Sequence, residues 1–166
     1  MLRRLARIAA LFAGLTATGA ALAAPIDTPL TLRWKDVNGT VVAEKTLGVD
    51  EVEALPQTTI ETATPWTHDM RTFVGPSIAV LAKLAPHPVA EATFVALNDY
   101  TATLEPADWT ERGAILAVRH NGELMPVRDK GPYWVVYPLS SHPELDTQFY
   151  HGRMVWQVKA VDFLVE

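Results

Sequence analysis

The sequence predicts an α+β fold with a mixed, mostly antiparallel β-sheet and a few short helices. Short alternating or continuously apolar runs recur along the chain, and Gly, Pro and Asn-Gly dipeptides separate them. Apolar residues with helical spacing occur only in short segments. The helical segments do not alternate regularly with the strands, which argues against a sheet built from parallel βαβ units.

The first 23 residues have the pattern of a secretory signal peptide. Three arginines precede a stretch of about 15 apolar and small residues, and Ala21-Leu22-Ala23 is a small-x-small cleavage pattern. A membrane-spanning helix needs about 20 apolar residues, so a permanent anchor is the less favoured alternative. We therefore expect a single mature domain, residues 24–166, that is secreted to the periplasm.

The composition of this expected domain excludes several classes of function. It keeps all 19 acidic residues but loses three of the 14 Lys and Arg, so it is acidic and is not steered to nucleic acid or anionic lipid. It contains no cysteine, which removes disulfides, thiolate nucleophiles and thiolate metal ligands. After signal cleavage no segment is long and apolar enough to span a membrane.

The first elements of the domain are predicted to be a hairpin, a short helix and an extended segment. Residues 30–35 alternate, and Asn38-Gly39 joins them to residues 41–43; Asn-Gly is typical of tight hairpins with positive φ at both turn residues. Residues 49–56 predict one or two helical turns, because acids near the start suit the helix dipole and proline ends the segment. Residues 57–63 are Thr-rich and predict extended chain.

A polar loop, a helix and a strand pair are predicted next. Residues 64–72 form the loop and hold one tryptophan. Residues 76–84 predict a helix, because proline suits a first turn and the apolar residues share one face. Residues 92–97 and 101–104 predict strands on either side of a turn, and residues 106–109 predict a short helical turn.

The last third of the domain predicts mainly strands. Residues 114–118 form an apolar run, and residues 121–125 predict a second Asn-Gly hairpin. Residues 133–137 are an unbroken aromatic and β-branched run between prolines, which predicts a strand covered on both faces. Residues 140–152 are predicted to be a loop, and residues 155–163 alternate and predict a final amphipathic strand.

The order of these motifs resembles the molybdopterin-binding domain of the sulfite oxidase-like oxidoreductases. The resemblance rests on residues 73–81 (FVGPSIAVL), a loop leading into a helix; on residues 94–100 (FVALNDY), a strand and turn; and on residues 131–138 with 153–161. It is similar above all to small, secreted, cysteine-free members of that superfamily. The resemblance implies the fold of these proteins, and it implies molybdopterin as a possible cofactor.

The sequence departs from this family's pattern at the positions that hold the cofactor. Residues 61–64 stand where the resemblance implies a cysteine that ligates molybdenum, and they offer no sulfur. Trp134 lies on or beside the position of a phosphate-binding arginine, and Trp156 near that of a lysine. The resemblance with these losses implies a non-catalytic ligand-binding or sensing domain. The alternatives are an oxidoreductase that holds molybdopterin without a thiolate and a structural partner of an envelope protein.

Candidate ligand-binding residues lie in three loops that we expect at one mouth of the fold. We expect cations there to hold a small anionic ligand and aromatic rings to stack on a flat one. The competing interpretations are a solvated polar loop, a turn with an inward tyrosine, and a core strand preceded by a solvated turn. The candidates are Trp66, His68, Asp69, Arg71, Asn98, Asp99, Tyr100, Arg128, Lys130 and Tyr133.

Other chemistries have little support in the sequence. No two histidines have metal-ligand spacing, so we expect no metal site. Ser77 lacks the second glycine of a nucleophile elbow and is better placed as a helix-start residue. Of the five tryptophans, Trp134 and Trp156 are predicted to fill the core, and we assign no catalytic residue.

Overall fold

The computed structural model describes residues 28–67 and 69–165. The expected signal peptide and His68 lie outside the described residues. The described chain is α+β with mostly antiparallel strand pairing and short helices, as predicted. No helix within it has both the length and the hydropathy needed to cross a membrane.

Strands make up most of the regular structure. They are β1 Leu30–Lys35, β2 Val41–Leu47, β3 Gln57–Thr62, β4 Arg71–Pro76, β5 Val89–Ala96, β6 Thr101–Leu104, β7 Ile115–Ala117, β8 Arg119–His120, β9 Glu123–Leu124, β10 Trp134–Val136 and β11 Val158–Val165. The α-helices are α1 Val49–Glu53, α2 Ile78–Ala82, α3 Pro106–Thr110 and α4 Gln148–Arg153, and 3₁₀ turns span Val127–Asp129 and Pro143–Leu145.

The largest sheet has five strands in the order β2-β1-β11-β5-β6. Strands β1 and β11 run parallel, and the other neighbours in this sheet are antiparallel. Alternate residues of β1 are buried, which confirms the alternation predicted from sequence. Trp34 of β1 stacks on Phe163 of β11, with ring centroids 5.2 Å apart, so one face of the sheet lies against the core.

A second group of strands packs close to β4. Strands β3-β4-β8-β9 form one sheet and β10-β7 form a separate pair. Residues 133–137 are all less than 2% exposed, so the prediction of a strand with both faces covered is confirmed. The backbones of β4 and β7 approach so closely at Gly75 that a Cβ atom there would lie 2.0 Å from the carbonyl oxygen of Leu116.

The two Asn-Gly hairpins differ in the backbone conformation of their turns. Asn121 and Gly122 both have positive φ (51° and 84°) and make the predicted tight turn between β8 and β9. At the first hairpin only Gly39 has positive φ, so the predicted turn geometry is wrong there. The Asp36 carboxylate accepts hydrogen bonds from the backbone N–H groups of Asn38 and Thr40, and this closes a longer loop.

Three boundaries differ from the sequence prediction. Pro76 ends β4, where it pairs with Gln57, and Ser77 caps α2 by accepting from the Ala79 N–H at 3.1 Å. Residues 140–152 are not only a loop, because α4 begins within them. The last strand begins at residue 158 rather than 155, because Gln157 has a φ of 52°, outside the β region, and interrupts extended chain.

Candidate functional site

A pocket of about 450 Å³ lies where the β5–β6 turn, α4 and the segment before β11 meet. We call it the aromatic pocket. Its volume is within the range of small-molecule sites, about 300–1,000 Å³. The side chains that shape it come from four separate parts of the chain, namely Trp66, Asn98, Tyr100, His151, Met154 and Trp156.

Three tryptophans build one wall of this pocket. The rings of Trp66 and Trp156 meet edge to face, with centroids 4.9 Å apart, and Trp134 lies 5.9 Å from Trp66. Trp134 is buried and its indole N–H donates to the carbonyl oxygen of Met154 at 3.1 Å, so it supports the wall from behind. Trp66 and Trp156 are half-buried and present their rings to the pocket.

The β5–β6 turn places two predicted site residues at the pocket. The Tyr100 hydroxyl donates to the carbonyl oxygen of Gly152 at 2.7 Å, which ties the turn to α4. The Asn98 side-chain oxygen accepts from the Tyr100 N–H at 3.1 Å. Asp99 does not line the pocket, because its carboxylate pairs with Lys159 at 2.6 Å.

The loop before β10 reaches the same region through its backbone. The carbonyl oxygen of Lys130 accepts from the Gln157 N–H, and the Gln157 carbonyl accepts from the Leu97 N–H, both at 2.9 Å. The Lys130 ammonium lies 5.5 Å from the ring centroid of Trp134 and 5.7 Å from that of Trp156. All three predicted loops therefore reach residues 156–157, the first of them through the contact of Trp66 with Trp156.

The remaining predicted residues do not line the aromatic pocket. Asp69 and Arg71 pair with each other at 2.9 Å, and Arg128 is exposed. Tyr133 is fully buried, which is wrong for a residue at the mouth, and its hydroxyl has no hydrogen-bond partner among the described residues. Burial raises the pKa of Tyr133, so this phenol stays protonated. His68 lies outside the described residues.

Most of the pocket lining was not predicted from the sequence, and the two aromatic side chains among the missed residues are Trp156 and His151. Trp156 was predicted to be core, yet it lines the pocket because it lies before the strand, which begins only after Gln157. His151 lies in the segment predicted as loop, and its ring contacts Trp66 edge to face at 6.1 Å. The density of tryptophans was the available signal for Trp156. Nothing in the local sequence indicated His151.

A second, polar pocket of about 400 Å³ lies next to residues 63–65. Its polar lining comes from Thr64, Ser140 and Asp146, and we call it the polar pocket. One oxygen of Asp146 lies 2.7 Å from Nε2 of His151, which lines the aromatic pocket. Within the described residues, no group of three His, Asp or Glu side chains is arranged to hold a metal ion.

The fold and these pockets define an α+β domain with an aromatic binding cavity and a polar cavity beside it. No family model matches the chain, and no curated protein matches it at a significant level. The geometry of the two pockets therefore carries the functional argument.

His120 predicts a dependence of stability on pH. Burial lowers its pKa below the ordinary 6.5, and the charges of Arg71 and Lys130 act in the same direction against those of Asp129 and Asp69. The unfolded chain then binds more protons than the native state, so stability falls as the pH drops through the ordinary pKa of histidine. We expect urea denaturation to show a smaller loss between pH 7.5 and 5.5 for His120→Phe than for the wild type.

The phenylalanine in this variant keeps the stack on Phe73, whose ring centroid lies 5.0 Å from that of His120. It also removes Nε2, which is buried without a hydrogen-bond partner among the described residues. Little stability should therefore be lost at pH 7.5. An unchanged pH dependence in the variant would contradict the prediction.

Proposed function

We propose that this protein is a non-catalytic ligand-binding or sensing domain that holds a small molecule with a flat ring in the aromatic pocket. The observation that carries the proposal is the convergence of Trp66, Tyr100 and Trp156 on one cavity of about 450 Å³. Aromatic side chains bind flat rings by stacking and by edge-to-face contact. Burial of such a ring also supplies the hydrophobic contribution to affinity.

The aromatic pocket is suited to a ligand with a flat ring and not to an anionic group. Of the cations predicted to hold an anion, Arg71 pairs with Asp69, Lys130 lies over two indole rings, and Arg128 is exposed and lines neither pocket. Among the residues that the structure describes, no Lys or Arg lines the aromatic pocket. An anion would therefore enter the pocket without a charge partner there, which is unfavourable.

The lining of the pocket supports binding rather than catalysis. Its described residues include no Ser, Thr, Cys or Lys that could act as a nucleophile. The Tyr100 hydroxyl already donates to Gly152, and His151 is paired with Asp146. A general base without a nucleophile or an oxyanion site does not make a complete catalytic centre.

We also propose that the domain has the sulfite oxidase-like molybdopterin-binding fold and is exported to the periplasm after cleavage of residues 1–23. The order of the three motifs supports the fold, and the charge and cleavage pattern of the N-terminal segment supports export. N-terminal sequencing of protein from the periplasmic fraction tests the export. A mature chain that still begins at Met1 would contradict it.

The residues present do not fit a thiolate-ligated molybdenum cofactor. The hydroxyl of Thr62 is buried and bonds to Ala63 and Ser140, and Thr64 bonds to Thr67, so residues 61–64 offer no anionic ligand of the needed kind. The indole of Trp134 donates to a backbone carbonyl instead of binding a phosphate. We therefore derive no reaction step through this cofactor.

Binding of a ring is tested by titration of the mature protein with 2-naphthamide, followed by tryptophan fluorescence. We expect saturable binding in the wild type. Trp66→Ala should weaken it by roughly 1–3 kcal/mol, the usual contribution of one stacked ring. Trp109→Phe is the matched control, because Trp109 belongs to α3 and is buried away from the pocket lining.

Equal loss in both tryptophan variants would mean that Trp66 does not form the site. The elemental content of native, exported protein supplies an independent check. Stoichiometric molybdenum together with pterin fluorescence would overturn the proposal and favour an oxidoreductase.

A further inference from the structure

The structure points to a ligand with two parts: a flat heterocycle in the aromatic pocket and a neutral, hydroxyl-rich group in the polar pocket. We propose that its chemical class is that of a nucleoside. The inference rests on the proposed function, because it places the ring in the same cavity. It adds the polar pocket, which the proposed function does not use.

The two pockets share their dividing wall. Consecutive residues contribute to them, since Pro65 lines the polar pocket and Trp66 lines the aromatic one. On the other side, Asp146 lines the polar pocket and His151 the aromatic one, and their side chains are hydrogen-bonded at 2.7 Å. The two pockets are therefore adjacent, and a ligand that occupies both would pass over the partly exposed Asp146–His151 pair.

The polar pocket suits hydroxyl donors. The Asp146 side chain is 59% exposed and uses only one oxygen on His151, which leaves the other as an acceptor. The hydroxyl of Ser140 already accepts from the Ala63 N–H, and that of Thr64 is bonded to Thr67, so the Asp146 carboxylate is the main acceptor that this pocket offers. A sugar presents vicinal hydroxyl donors, and a carboxylate that accepts from them makes the stronger, charge-assisted kind of hydrogen bond.

The same lining opposes a phosphate. Within the described part of the chain, the polar pocket is lined by no Lys or Arg, and the ionisable group in its lining is the Asp146 carboxylate. A dianion there would face a like charge without a compensating cation. The part of the ligand in the polar pocket is therefore neutral. This favours a nucleoside over a nucleotide, which carries a phosphate.

The aromatic pocket also offers groups that can read the edge of a heterocycle. The Asn98 oxygen is used by Tyr100, but its amide nitrogen makes no hydrogen bond among the described residues, and Gln148 adds a second side-chain amide. Side-chain amides both donate and accept, which matches the mixed edges of nucleobases. Both residues are exposed, so their amide groups are available to a heterocycle that carries polar atoms on its edge.

Isothermal titration of the mature protein with matched probes tests the inference. The probes are adenine, adenosine, 2′,3′-dideoxyadenosine and AMP, with uracil and uridine as a second base–nucleoside pair. We expect at least one nucleoside to bind about tenfold or more tightly than its free base, because it adds hydrogen bonds to a carboxylate. Removing the hydroxyls should abolish this gain, and AMP should bind more weakly than adenosine.

The variant Asp146→Asn tests whether the polar pocket is the site that binds the sugar. It should reduce the gain from the sugar, measured within the variant as the ratio of its nucleoside affinity to its free-base affinity. Glu123→Gln is the matched control, because it removes an exposed carboxylate from β9, outside both pockets.

The outcomes separate the two proposals. Binding of bases with no gain from the sugar overturns the two-part ligand and keeps the proposed function. Tighter binding of AMP than of adenosine overturns the neutral group. If neither the nucleobases nor 2-naphthamide bind, the proposed function fails, and this inference fails with it.

Discussion

Replacing Asp108 with asparagine should destabilise the domain by about 3–5 kcal/mol, the loss that follows when one partner of a buried ion pair is removed. The Asp108 carboxylate is fully buried and accepts from Arg153 at 2.6 Å and from Arg112 at 3.2 Å. It also accepts from the Glu105 N–H at 2.9 Å and so caps the start of α3. Asparagine keeps the size of the side chain but leaves Arg153, which is only 16% exposed, without a counter-charge.

The loss has a functional consequence, because Arg153 belongs to α4. This helix carries His151 and Gly152 to the aromatic pocket, and the Asp108–Arg153 pair connects it to α3. We therefore expect ligand affinity to fall in Asp108→Asn even under conditions where the variant remains folded. Urea denaturation at 25 °C followed by tryptophan fluorescence measures the change in stability.

Asp162→Asn is the matched control for burial. Asp162 also accepts from two cations, Arg33 and Lys35, but its side chain is 20% exposed and lies at the surface of the large sheet. These pairs are partly exposed, and pairs at the protein surface contribute about 1 kcal/mol or less, so this variant should lose less stability than Asp108→Asn. Similar losses in the two variants would show that burial is not what makes Asp108 important.

The second large effect is expected for Gly75→Ala, which should destabilise the domain by about 3 kcal/mol or more through overpacking. The added Cβ would lie 2.0 Å from the carbonyl oxygen of Leu116 and 2.6 Å from the Cα of Ala117. Both atoms belong to the backbone of β7, so no side chain can rotate to make room. Strands β4 and β7 would have to separate within the core.

Gly48→Ala is the control for the general effect of adding a methyl group. The Cβ at position 48 would meet nothing closer than the Glu51 carboxylate at 3.8 Å, and Gly48 has an ordinary φ of −70°. We expect a change of about 1 kcal/mol or less, chiefly from the helix N-cap preference. The prediction would be contradicted if Gly75→Ala unfolded at the same urea concentration as the wild type.

The sequence predicted the strands better than the helices. The alternation in β1 and the covered run around β10 carry their signal in local periodicity, and burial confirms both. Helix α4 was missed because its residues, QFYHGR, have weak helical preference and no apolar period. Contacts distant in sequence stabilise it instead, from Arg153 to Asp108 and from Tyr100 to Gly152.

The candidate site was predicted in part. Trp66, Asn98 and Tyr100 do line one pocket, because a polar loop and a tight turn at strand ends place side chains at the same edge. Tyr133 was wrong because alternation within an apolar run cannot tell which face meets a loop and which meets the core. Trp156 was assigned to the core because the sequence predicted it within the last strand. The positive φ of Gln157 moves the start of that strand past Trp156.

By itself, the sequence determined the α+β class, the positions of most strands, the acidic and cysteine-free character, and the turn between β8 and β9. These properties depend on composition or on residues that are neighbours in the chain. Only the tertiary structure decided that Trp66, Tyr100, His151 and Trp156 share one cavity and that Asp146 connects it to a second. Each such contact joins residues far apart in the chain, and no local pattern specifies the distance between them.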